Sequence, residues 1–315
     1  MSEHITHVSL ADDGRRLASV TPGLPAEFLA VWQANPEMAR AGGCTRKADL
    51  FSADIIAGVS DDVKAAHAAG ELGDATFPGR DNRTSHVGGA KLAFVLGALT
   101  HRAADRLMKP VFHYFQGLDD YPGFNRCTIF HDIYVLKHVL NALPQPPYPE
   151  DMLRGEGTPA EHAFDNALRG AVGRTLIGLH TLIPDTDHVH QWLENLRQVT
   201  LDYGIRVDEY RRIYTDWPED EVKRYIDDTH FYDESDDVLQ VLKTLRAGGS
   251  VSEADAQQAV ANTTDASSRY ARAVAQANGY LRAAGDLFDG KATVEETKPK
   301  LDIGVPELSI PFEPK

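Results

Sequence analysis

Cysteine is nearly absent from the chain. Cys44 and Cys127 are the two in 315 residues, too few and too far apart for a disulfide framework or a thiolate zinc motif. Any metal must therefore rest on histidine and carboxylate. Long apolar runs are missing too: Leu92 to Thr100, the longest near the histidine-rich region, falls far short of the ~20 residues that span a bilayer. No transmembrane segment is expected. Basic charge is scarce, with Lys+Arg of 32 against Asp+Glu of 47 and a net charge of −15. Such a field repels polyanions, so a long nucleic acid is not an expected partner, while a small anionic substrate remains open. Residues 1–10 carry neither a basic stretch nor an apolar core; no secretory signal is read, and a cytoplasmic location is expected. Strand-like alternation is scarce, and no internal repeat is found.

What is present reads as helix. With 42% hydrophobic and 25% charged residues, the composition is that of a soluble globular protein. Residues 1–25 look like an irregular lead-in, and Pro25 with helix-spaced Phe28 and Trp32 starts a first helix. A segment from Asp49 leads into an alanine-rich stretch that Gly70 would end, and 70–85 reads as a loop. A long helix is expected from about Ala90 to Leu107, stopping before Pro110 because the residue ahead of a proline disfavours the α region. Further helices are expected at 125–142, 160–182, 187–203, 206–214, 218–227, 235–246, 252–260 and 263–287. The expected fold is an all-α multi-helix bundle. Residues 1–290 form a single domain, 205–290 being a candidate helical extension, and 291–315 a proline-punctuated extended tail.

The chemistry concentrates between positions 86 and 138. His101 and Asp105 lie four apart on an apolar helix, hence on one face with about 5–6 Å between Cβ atoms, where an imidazole and a carboxylate can close on one ion. That pair suits Zn2+, or less selectively Mn2+ or Fe2+, in one site or in a cluster of two or more ions. His113 follows just past Pro110. Farther on, His131 and Asp132 are favoured as ligands over His138, which sits roughly 10 Å along the axis from His131. His86 is separated from His101 by ~22 Å of continuous helix, and joins only if Gly88-Gly89 breaks the chain direction. Asp49 and Asp54 approach from another segment. Lys109 and Arg102 flank the pair as candidate anion-binding groups. The plain alternatives are an i,i+4 hydrogen-bonded pair at a core edge for His101 and Asp105, and solvated charges for Lys109 and Arg102. Asp187, among His180, Asp185, His188 and His190, reads as an N-cap. The acidic run Asp227–Asp237 lacks the glycine of a calcium loop.

Leu96-Gly97-Ala-Leu-Thr-His101-Arg-Ala-Ala-Asp105, followed by Lys109-Pro110 and His113, resembles the ligand helix of the zinc-dependent phospholipase C and single-strand nuclease superfamily over about residues 45–140. The resemblance implies an all-α fold and zinc ligation by His101, Asp105 and His113, with an early aspartate from the Asp49/Asp54 segment and a later helix at His131/Asp132. His101, adjacent His131-Asp132 and then Asp185 also have the order of an HD-domain phosphohydrolase. Both likenesses imply hydrolysis of a phosphomonoester or phosphodiester by metal-activated water. The competing expectation is a non-enzymatic all-α binding or assembly protein whose histidines are structural.

Overall fold

The computed structural model describes residues 4–45, 48–72, 86–115, 124–140 and 218–303. Among these residues there are eleven α-helices and no strand, in agreement with the all-α expectation. The first six are α1 (His4–Ala18), α2 (Ala26–Ala34), α3 (Pro36–Cys44), α4 (Ser52–Ala69), α5 (Val87–Phe115) and α6 (Phe124–Tyr134). A 3-10 turn at Ala48–Phe51 leads into α4, and a π-helical turn at Val135–Leu140 continues α6. The others are α7 (Glu219–Thr229), α8 (Asp237–Arg246), α9 (Glu253–Ala261), α10 (Arg269–Phe288) and α11 (Val294–Lys300).

The organising element is α5. From Leu92 to Leu99 its side chains are buried on every side, as expected of a helix that is apolar all round rather than along one stripe. Its first half packs with α2, α3, α4 and the second half of α10 in one core, around Phe28, Trp32, Phe94 and Phe288. Its second half, with Met108 and Phe112, enters another core formed by α1, α6 to α9 and the first half of α10. Thus α5 and α10 thread both cores.

Two glycines let α3 and α5 touch backbone to backbone. A Cβ on Gly97 would lie 1.8 Å from the Ala39 carbonyl oxygen, and one on Gly42 would lie 1.9 Å from that of Phe94. No larger residue fits either position unless the helices separate. A buried polar network ties α1 to the C-terminal helices. Arg246 of α8 pairs with fully buried Asp13; Tyr270 Oη donates to the same carboxylate at 2.9 Å and meets Ser9 Oγ at 2.7 Å. Burial alone would raise the Asp13 carboxyl, but the Arg246 guanidinium outweighs it and holds the group below the usual range.

Three boundary expectations are corrected. The lead-in contains helix α1, whose N-terminus is satisfied by a carboxylate from α6 rather than by a neighbour in sequence. Helix α5 runs through Pro110 to Phe115; the proline forfeits one helical hydrogen bond, while buried Val111 and Phe112 anchor the last turn in the second core. Within the expected extended tail, Val294–Lys300 is helical, started by a capping box in which Thr293 and Glu296 satisfy each other's backbone N–H. Gly70 does end α4, in the left-handed conformation at φ 71°. The second half of α10 forms a wall of the first core. The expected helices at 160–182, 187–203 and 206–214, the residues from His180 to His190, and 304–315 lie outside the described residues. No helix among the described residues is long and apolar enough to cross a membrane.

Candidate metal centre

Helix α5 presents His101 and Asp105 on one face, with His101 Nε2 3.4 Å from Asp105 Oδ2. Helix α1 delivers His7 to the same point. Its Nε2 lies 3.9 Å from Asp105 Oδ1, and its ring stacks on that of His101 with centroids 4.2 Å apart and planes 22° apart. One ligand atom from each of the three residues falls within 4.8 Å of the other two. Both imidazoles are buried, at 3% and 5% exposure for His7 and His101.

The close crossing of α3 and α5 sets the orientation of His101. Its Nδ1 lies 2.8 Å from the carbonyl oxygen of Gly43, the residue after the glycine that touches Phe94. A carbonyl only accepts, so Nδ1 carries the hydrogen and Nε2 is left to face the carboxylate. A backbone oxygen fixing the remote nitrogen in this way is the usual support of a metal-ligating histidine.

Protein groups alone leave polar atoms of the cluster unsatisfied. His101 Nε2 and Asp105 Oδ1 are buried and make no hydrogen bond of good geometry. A neutral imidazole lone pair beside a carboxylate is repulsive, so the pair calls for either a proton or a metal cation between them. Burial opposes protonation of His101, but the Asp105 charge overcomes it and raises the imidazole above its ordinary value. Burial would likewise raise Asp105; the facing His101 holds it far below the carboxylate range. Proton and metal compete for one place, as at any site whose ligands must deprotonate to bind. Two imidazoles and a carboxylate suit Zn2+, with Mn2+ or Fe2+ as poorer fits, and leave a fourth position for water.

The other candidates are placed elsewhere or are held by other partners. His113 is exposed, roughly 18 Å along α5 from His101 and about 120° round, because the helix does not break at Pro110. His131 is fully buried on α6, stacked on Phe231 at 3.7 Å between centroids with Phe112 and Tyr225 at its other edges. Neither of its nitrogens has a hydrogen-bond partner, and burial lowers its pKa well below the ordinary value. Asp132 accepts the backbone N–H of Ile5 at 3.0 Å and of Thr6 at 2.9 Å, which makes it the cap of α1. Asp54 pairs with Lys298 of α11 at 3.1 Å. His86 accepts the Gly89 N–H at 3.0 Å and meets Asp62 at 3.2 Å, so it serves the N-terminus of α5.

Asp49 comes closest of the remainder: it is buried, and its charge is felt by His101. Its Oδ2 lies 3.5 Å from Arg102 Nε. Arg102 also donates to the Asp302 carbonyl at 2.7 Å, which holds it as a strut between Asp49 and the turn after α11. Lys109 is half-buried about two turns beyond His101 on α5. The residue that reading the sequence missed is His7. Its signal was the pair His4 and His7 at helical spacing beside Ala11, hidden by reading the first 25 residues as irregular.

No family model matches the chain, and no curated protein or solved structure matches it.

Proposed function

We propose that this chain is a metal-dependent phosphoester hydrolase, located in the cytoplasm, whose metal is held by His7, His101 and Asp105. The observation that carries the reading is the arrival of His7, from a helix more than ninety positions away in sequence, beside the His101–Asp105 pair. A bound zinc would lower the pKa of its water toward ~7 and so supply a nucleophile at neutral pH. The protein's part is positional. Gly43 holds His101 in one tautomer, and the Asp105 carboxylate faces the Nε2 atoms of both stacked imidazoles, where it would balance the charge of a bound cation. Phosphorus as the site of attack is supported by the resemblance of the His101–His113 segment to phosphoesterases, and net −15 favours a small substrate over a long nucleic acid.

A second reading has its own support. The burial of His7 and His101 favours a metal that joins α1 to α5 without turnover. Hydrolysis of bis(p-nitrophenyl) phosphate by protein reloaded with zinc or manganese separates the two. Activity that His101→Ala and Asp105→Asn both abolish supports the hydrolase. Full metal binding with no hydrolysis assigns the structural role, and no metal uptake by the wild-type chain sinks both.

A further inference from the structure

A cleft of about 690 Å³ opens where α10 and the end of α9 meet α5 and the turn after α11, a volume typical of small-molecule sites. One wall is a single face of α10, since Arg272, Ala275, Gln276 and Gly279 recur at three- and four-residue spacing. Arg106 and Leu107 of α5 form another, and Val260 with Thr263 and Thr264 closes one end.

The cleft carries two guanidinium groups in different states of restraint. Arg106 is nearly buried, with Nε 3.4 Å from Asp302 Oδ2; that oxygen also accepts the Tyr280 hydroxyl at 2.5 Å, so the carboxylate is fixed and orients Arg106. Arg272 instead bonds Asp265 at 2.6 Å, and the Asp265 side chain is 97% exposed. A pair so open to water contributes little, and an incoming oxyanion displaces Asp265 into solvent without stranding a buried charge. Leu107, Val260 and Ala275 offer apolar surface beside these charges. A side chain built at Gly279 would meet nothing within 4 Å, so the space along α10 is open.

We propose that this cleft binds a small organic oxyanion, a carboxylate or phosphate on a short apolar body, with Arg272 exchanging Asp265 for the ligand's oxygens. The guanidinium fork matches either oxyanion in two-point contact. Arg106 and Leu107 follow Asp105 by one and two positions, about 100° and 200° round α5. The cleft therefore faces away from the His7–His101–Asp105 cluster, and its occupancy does not depend on a metal.

Calorimetric titration of the chelator-treated full chain with phenyl phosphate and with benzoate tests the proposal. Saturable binding of at least one probe is expected, weakened at least tenfold in Arg272→Gln and abolished in Gly279→Leu. The leucine fills the open space while improving helix propensity, so the variant's melting temperature should be unchanged or raised. Preference between the probes identifies the oxyanion. Absence of saturable binding to both at millimolar concentration overturns the proposal, as does binding that neither variant alters. If Gly279→Leu does not fold, Arg272→Gln decides alone, because it removes only a solvent-screened pair.

Discussion

His101–Asp105 on α5 and His131–Asp132 on α6 offer the same two functional groups within one short stretch of chain, yet the fold uses them in opposite ways. At the first pair, one helical turn of spacing points both groups at one place, where His7 adds a third donor. At the second, adjacency sends the groups in different directions. His131 enters an aromatic cage, and Asp132 turns to the N-terminus of α1, where a carboxylate satisfies orphan N–H groups and meets the positive end of the helix dipole. The same residue types are thus a charged, cation-seeking cluster in one place, and a neutral ring beside a structural cap in the other.

Substitution should break this contrast most sharply at Asp105. Asp105→Asn removes the charge that both imidazoles face, and we expect metal affinity to fall by a factor on the order of 100 or more, read by metal analysis after dialysis, while His131→Phe leaves uptake unchanged. Asp132→Ala should act on stability instead. It leaves two N–H groups of α1 without their acceptor, at a cost of about 3 kcal/mol in denaturant unfolding; a loss below about 0.5 kcal/mol would refute the capping role. Gly97→Ala should cost about 2 kcal/mol, because the added methyl forces α3 away from α5, and should weaken metal binding as the Gly43 carbonyl leaves His101.

The smallest effect at neutral pH belongs to His131. Its native pKa is held well below the 6.5 of a free imidazole, chiefly by burial and further by Arg269. The unfolded chain therefore takes up this proton first as pH falls. Stability from the neutral ring is complete above about pH 6.5 and declines as pH drops from there toward the native value, by at most about 1.4 kcal/mol per pH unit. His131→Phe should match or slightly exceed the wild type at pH 7.5, since it discards two unsatisfied nitrogens. It should also shift acid unfolding to lower pH. An unchanged acid transition would count against the buried neutral ring.

The sequence made some of this legible and hid the rest for physical reasons. The apolar run around Phe94 and the four-residue spacing of His101 and Asp105 are local patterns, and both are found as read. The course of α5 past Pro110 is not local: the gain comes from Val111 and Phe112 in a core assembled from distant segments. The capping role of Asp132 is invisible in the sequence because its partner, the N–H of Thr6, lies 126 positions away. The same distance hid His7, since a helix capped from outside shows no start signal in its own sequence.

Metal content decides whether His7, His101 and Asp105 hold an ion together. Wild type, His7→Ala and His131→Ala would be stripped with chelator, reloaded with zinc, dialysed and measured by elemental analysis. About one zinc per chain is expected in wild type and in His131→Ala, and close to none in His7→Ala. Zinc retained by His7→Ala and lost from His131→Ala would contradict this assignment.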